Sequence, residues 1–114
     1  MFNYTLISEE MVTFHAICPI EQLSFGERLY IEVDRLPIVV LNIAGKFYAI
    51  GDVCTHDHGP LGDGEVEGNA IKCPRHGARF DIGSGKVLAL PAVEDIPAYP
   101  LKITNGMIQI GIPK

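Results

Sequence analysis

Twelve glycines and eight prolines cut this chain into short runs, and the residues between them are rich in β-branched and aromatic side chains. Glycine and proline both disfavour helix interiors, and no helical period is sustained over several turns. The pattern predicts a small all-β domain. A first strand is expected near Val12–Cys18, with Val12, Phe14, Ala16 and Cys18 facing inward and Thr13, His15 and Ile17 facing out. Pro19 to Leu23 is expected to form a short helical turn. Leu29, Ile31 and Val33 share one face of a second strand. Ile38–Ile43 is almost continuously apolar, as a central strand would be, and Phe47–Ile50 returns antiparallel after Ala44-Gly45-Lys46. Glu65–Glu67 and Ala70–Lys72 flank Gly68-Asn69, a two-residue hairpin signal. Ala78–Ile82 and Lys86–Leu88 are separated by the turn Gly83-Ser84-Gly85. Leu90–Pro100 holds three prolines and is expected to be irregular. Leu101–Thr104 and Met107–Ile112 close the chain around Asn105-Gly106, the strongest hairpin dipeptide.

A chain of 114 residues has the length of one domain, spanning 1–114. Its formal net charge of −5 repels nucleic acid and anionic membrane, so neither is expected as a partner. The start, Met1-Phe2-Asn3-Tyr4, lacks the basic residues and long apolar run of a secretory signal. No apolar stretch reaches membrane-spanning length, and the expected location is the cytoplasm. Three cysteines cannot all pair, and in a reducing compartment closely placed cysteine and histidine read as metal ligands rather than crosslinks.

Two segments without strand character carry such residues. The first, about 51–64, contains Cys54-Thr55-His56. The second, about 73–77, contains Cys73-Pro74-Arg75-His76. Sixteen residues separate His56 from Cys73. Gly59, Pro60, Gly62, Gly64, Pro74 and Gly77 allow tight turns around a compact inorganic group. Two cysteines and two histidines also make a tetrahedral zinc site. Zinc fingers usually pair like ligands within one loop, whereas each loop here supplies one of each.

A C-T-H followed at this spacing by C-P-R-H-G resembles the Rieske iron–sulfur family. The resemblance implies one [2Fe–2S] cluster, with Cys54 and Cys73 on one iron and His56 and His76 on the other through Nδ1. It extends from about Ile43 to Ile110. Gly59-Pro60-Leu61 resembles the apolar cover of the cluster, Phe80-Asp81 and Gly83 to Lys86 the strand and turn after the second loop, and Pro91 the proline loop, about 90–100, that shields it. The implied fold is an antiparallel β-sandwich with a small cluster-binding subdomain. The implied function is that of a soluble ferredoxin of multicomponent aromatic-ring dioxygenase systems. Such a protein takes single electrons from a flavin-containing, NAD(P)H-dependent reductase and passes them to a terminal oxygenase, docking at the cluster tip. His56, His76, Pro60 and Leu61 are expected to form that exposed tip. A small Rieske-type subunit of an assimilatory nitrite reductase is similar in size and fold and remains the alternative, with a structural zinc module as a third reading.

High-potential members of the family carry a disulfide between the two loops, and a serine and a tyrosine after the second whose hydroxyls hydrogen-bond to cluster sulfurs. This chain matches those positions with Arg75, Ala78 and Phe80, and the segment from Asp57 to Gly62 has no cysteine. A low potential is therefore expected. Rieske oxygenases add a large catalytic domain, for which no residues remain here, so the chain is expected to transfer electrons rather than catalyse a reaction. Cys18 is read as a buried thiol and His15 as a surface residue. His58 is read as a solvated loop residue, with a hydrogen-bond donor behind the ligands or a docking residue as the alternatives. Asp57, Asp63, Glu65, Glu67, Glu94 and Asp95 form either a docking face or a solvated rim.

Overall fold

The computed structural model describes residues 3–114, so the Met1-Phe2 start lies outside it. The strands are β1 (Val12–Pro19), β2 (Arg28–Val33), β3 (Leu36–Ile43), β4 (Lys46–Gly51), β5 (Glu65–Glu67), β6 (Ala70–Lys72), β7 (Arg79–Asp81), β8 (Val87–Ala89), β9 (Ala98–Tyr99), β10 (Leu101–Thr104) and β11 (Met107–Pro113). Short 3-10 turns cover Tyr4–Leu6, Glu9–Met11 and Ile20–Gln22, the last at the helical turn expected there. Every strand pairing is antiparallel.

The strands form three sheets, ordered β1-β11-β10, β2-β3-β4-β9 and β5-β6-β7-β8. The third sheet is an insertion between β4 and β9, both strands of the second. β3 explains how the layers stack. Successive side chains of a strand point to opposite faces. Val39 and Leu41 pack with Ile71, Phe80 and Ile82 on the inserted sheet. Ile38 and Val40 pack with Ile108, Ile110 and Ile112 on the first sheet. A strand covered on both faces reads as a continuous apolar run, which is why Ile38–Ile43 has no polar alternation before Asn42.

Turn chemistry sets the registers. Ala44 and Gly45, and Asn105 and Gly106, all have positive φ, as a two-residue type I′ hairpin turn requires. Asp34 and Arg35 turn β2 into β3 with the same two positive φ values and no glycine to announce them.

Two expectations need correction. The segment Leu90–Pro100 is not wholly irregular, because Ala98 and Tyr99 pair with Ile50 and Ala49. They lie between Pro97 and Pro100, so both keep the N–H groups a ladder needs, and the Pro97 carbonyl still accepts from the Gly51 N–H at 2.8 Å. In β1 the expected inward set holds at Val12 and Cys18, which are buried, but not between them. Thr13 and His15 stand opposite Ile112 and Ile110, and directly paired residues share a face. His15 is thereby half-buried on the face of Ile110, whereas Thr13 stays exposed, Phe14 is half-buried over Gly111 and Ala16 is exposed. A bulge between Ala16 and Cys18 shifts the phase, and it alone returns Cys18 to the core. His15 is half-buried rather than a surface residue, and its Nε2 is buried with no hydrogen-bond partner among the described residues.

Candidate metal centre

Both loops are built to tuck a cysteine inward and carry a histidine out. Past β4, the carboxylate of Asp52 accepts the N–H groups of Leu61 at 2.9 Å and Gly62 at 2.6 Å, which closes the base of the first loop. Inside it the Cys54 carbonyl accepts the His58 N–H at 2.7 Å and the Cys54 N–H donates to the Gly59 carbonyl at 2.8 Å. The second loop leaves β6 at Cys73, whose N–H donates to the Ala78 carbonyl at 2.7 Å while its carbonyl accepts the Gly77 N–H at 3.1 Å. Gly77 has φ of 81°, a conformation that glycine adopts without steric cost.

The loops bring Cys54, His56, Cys73 and His76 to one tip. Both cysteines are enclosed, at 0% and 1% exposure. Their Sγ atoms and a carboxylate oxygen of Asp57 all lie within 4.8 Å of one another. Both histidines are exposed. Their rings meet edge to face at a centroid distance of 5.1 Å, and His76 Nδ1 lies 3.2 Å from Asp57 Oδ2. Cys18 is buried in the other core, beside Ile108 and Ile110. His15 is on β1. His58 is exposed, in left-handed backbone, at the outer edge of the first loop.

This donor set suits a two-iron cluster better than a single zinc. A tetrahedral metal with bonds of about 2.3 Å holds its sulfurs about 3.8 Å apart, and the Cys54 and Cys73 sulfurs lie within 4.8 Å of each other. Among the described residues no histidine nitrogen joins those two sulfurs within 4.8 Å, as a mononuclear site would require. Two buried thiols at one end and two exposed imidazoles at the other match a cluster in which histidines replace cysteines on one of two irons. Burial pushes the Cys54 thiol up, and the neighbouring Cys73 adds to this. The backbone N–H groups of His56 and Asp57 act in the opposite direction and favour the thiolate.

Three positions that matter here are poorly marked in the sequence. Arg75 grips the Asp57 carboxylate at 2.6 and 2.9 Å and holds it well below the usual carboxylate range. Asp57 is thus neither docking face nor solvated rim. The only sequence signal was its opposite charge to Arg75 on the facing loop. Asp52 carried no signal at all. The other acids also divide: Asp63 accepts the Tyr30 hydroxyl, Glu67 pairs with Arg79 at 3.1 Å and Asp95 accepts the Val87 N–H at 2.9 Å.

Leu61 is not part of the exposed tip. The Asp52 carboxylate turns its backbone inward, and its side chain is fully buried with Cys54, Cys73 and Phe80. Apolar exposure near the tip comes instead from Pro60 and from the proline loop. Leu90 and Val93 there are each 76% exposed. The Thr55 hydroxyl donates to the Glu94 carbonyl at 2.6 Å, fastening that loop beside the first.

Comparison with known proteins agrees with this geometry. The Rieske [2Fe-2S] domain family matches residues 13–100. The chain is 37% identical over 99 residues to a 3-phenylpropionate/cinnamic acid dioxygenase ferredoxin subunit of Escherichia coli, covering 85% of this chain and 92% of that one. The ferredoxin of carbazole 1,9a-dioxygenase from Nocardioides aromaticivorans IC177 superposes with a TM-score of 0.81 at 30% identity, over 90% of this chain and 99% of that chain. A chain described as an NADH-dependent nitrite reductase small subunit, from Mycobacterium tuberculosis, superposes with a TM-score of 0.78 over 90% of this chain and 97% of that one, but at 21% identity it shares the fold alone. With that family matched across most of its length, and two cysteines and two histidines gathered at one tip, the chain belongs to the Rieske [2Fe-2S] domain family.

Proposed function

We propose that this chain, acting as one domain over 1–114, is a one-electron carrier of a multicomponent dioxygenase system. It would receive electrons from an NAD(P)H-dependent flavin reductase in the cytoplasm and deliver them to a terminal oxygenase. Cys54 and Cys73 would hold one iron of the cluster and His56 and His76 the other. Among the described residues no helix is long and apolar enough to cross a membrane. The observation that carries the reading is the tip itself, with two enclosed cysteines behind two exposed histidines in edge contact.

When bound, the cluster supplies a single-electron redox step. The protein's residues decide where that step is accessible. Cys54 and Cys73, which would hold one end of the group, are enclosed in the apolar core with Leu61, Ala78 and Phe80. His56 and His76 leave the outer end at the surface, where a partner can approach. Pro60, Leu90 and Val93 give the surroundings an apolar rim for that partner to cover. The nitrite reductase reading has the shared fold in its favour, at 21% identity against the 37% shared with the dioxygenase ferredoxin subunit.

Ligand replacement tests the assignment. Purified protein is expected to be red-brown, and His56→Ala, His76→Ala, Cys54→Ser and Cys73→Ser are each expected to lose the native spectrum. Cys18→Ser and His15→Asn should keep it. A ligand variant with the wild-type spectrum contradicts the assignment. Reduction by NADH and a flavin reductase of a dioxygenase system, followed at the visible bands, tests the partner. Co-purification with a large sirohaem protein contradicts it.

A further inference from the structure

The guanidinium of Arg75 uses three nitrogens on the two ligand loops at once. Nε and Nη2 donate to both carboxylate oxygens of Asp57, at 2.6 and 2.9 Å. Nη1 donates to the Pro60 carbonyl at 2.8 Å, and Nη2 lies 3.5 Å from Cys73 Sγ. Asp57 and Pro60 belong to the first loop, Arg75 and Cys73 to the second. The backbone makes room for this: a Cβ on Gly59 would stand 2.8 Å from Arg75 Nη2 and 2.9 Å from Cζ. The Gly59 N–H also donates to Asp57 Oδ1 at 2.9 Å, fixing the carboxylate that receives the fork.

We propose that Arg75 is a positioning residue of the metal centre: it clasps the first ligand loop to the second through Asp57 and Pro60, and its N–H at Cys73 Sγ favours the reduced state. The inference rests on the ligand assignment made above. A bidentate arginine–carboxylate pair fixes orientation as well as distance, and here it spans two loops that share no strand pairing with each other. A cation and N–H donor beside a ligand sulfur stabilises the added negative charge of reduction, since hydrogen bonds to the sulfurs help set cluster potential. Lysine keeps the charge but lacks the planar fork. The Arg75 and Asp57 side chains are 36% and 20% exposed, open enough for salt to weaken the pair.

The test compares holoprotein of the wild type, Arg75→Gln, Arg75→Lys and Asp57→Asn, each in low and high salt. Two quantities are read: the rate of iron loss to bathophenanthroline sulfonate, and the midpoint potential by protein-film voltammetry. Arg75→Gln and Asp57→Asn should release iron about tenfold faster than wild type at low salt, and the gap should narrow at high salt. Arg75→Lys should release iron nearly as fast as Arg75→Gln. Arg75→Gln should shift the reduced-to-oxidised ratio about tenfold toward oxidised, a fall of about 59 mV for one electron. Arg75→Lys should fall less and Asp57→Asn should not fall. A purely structural arginine would change the release rate and leave the potential alone. Wild-type release in Arg75→Gln overturns the clasp, and an unmoved potential overturns the bias. A failed ligand assignment shows itself separately, as His76→Ala with an intact native spectrum.

Discussion

Gly64→Ala measures how tightly the strand that presents Cys73 confines the first loop. A Cβ on Gly64 would stand 2.0 Å from the Lys72 carbonyl oxygen, 3.0 Å from its carbon and 3.1 Å from the Leu61 carbonyl oxygen. All three are backbone atoms, and no rotamer change relieves them. Ordinary contact starts at 3.4 Å, so the two backbones must part by about 1.4 Å, the difference between that distance and the shortest one. Lys72 immediately precedes Cys73, and the Gly64 N–H is bonded to the Leu61 carbonyl at 2.9 Å inside the first loop. The displacement is therefore delivered to both ligand loops. Metal–ligand distances tolerate about 0.2 Å, several times less. Iron per chain and visible absorbance should fall at least tenfold, while far-UV circular dichroism keeps the β signature, because the first and second sheets make none of these contacts. Gly68→Ala is the control: nothing lies within 4 Å of its Cβ, though φ of 61° carries a strain of about 1 kcal/mol. It should load normally. Gly64→Ala that loads two irons per chain with the wild-type spectrum would refute this account of how the loops are spaced.

Ala78 and Phe80 are fully buried beside the cysteines and offer no hydroxyl to a cluster sulfur, so the potential should lie at the low end of the Rieske range, about −150 mV. It should be flat with pH around neutrality, and Ala78→Ser with Phe80→Tyr should raise it; a wild-type value well above zero in voltammetry contradicts this. Val93→Asp should slow electron transfer to the oxygenase with an unchanged spectrum, because Val93 adjoins Glu94, which is bonded to Thr55 between two ligands; an unaltered rate in stopped-flow would place docking on another face. His15→Val should raise stability by about 1 kcal/mol in urea unfolding, since it removes a buried nitrogen without a partner from a strand; a loss of stability would show that the nitrogen is satisfied.

Much of this fold is written in short-range chemistry. Asn105-Gly106, Ala44-Gly45 and Gly68-Asn69 carry their turns in the residues themselves, and the hairpins follow. The gathering of Cys54, His56, Cys73 and His76 at one tip was legible because each of two short loop motifs carries one cysteine and one histidine. What stayed hidden depends on partners distant in sequence. The bulge at Ile17 has no composition of its own, yet it shifts the phase of β1 and sets Cys18 opposite Ile108 in the core. Ala98 and Tyr99 read as loop because prolines flank them, and only the edge of β4 makes them a strand. Leu61 read as part of the exposed tip because Gly59-Pro60-Leu61 resembles the apolar cover of a cluster. Its burial follows from the Asp52 carboxylate nine residues earlier. Asp57 and Arg75 are eighteen residues apart, and each alone is an ordinary loop charge.

The most direct test of the central claim is EPR of the reduced protein, prepared with 15N-labelled histidine and assayed in parallel for iron and acid-labile sulfide. The account predicts two irons and two sulfides per chain, about the content of one [2Fe–2S] cluster. It also predicts a rhombic signal of low average g with hyperfine coupling to two histidine nitrogens, lost on replacing His56 or His76. A colourless protein with one zinc per chain, or a cluster signal without histidine coupling, would contradict it.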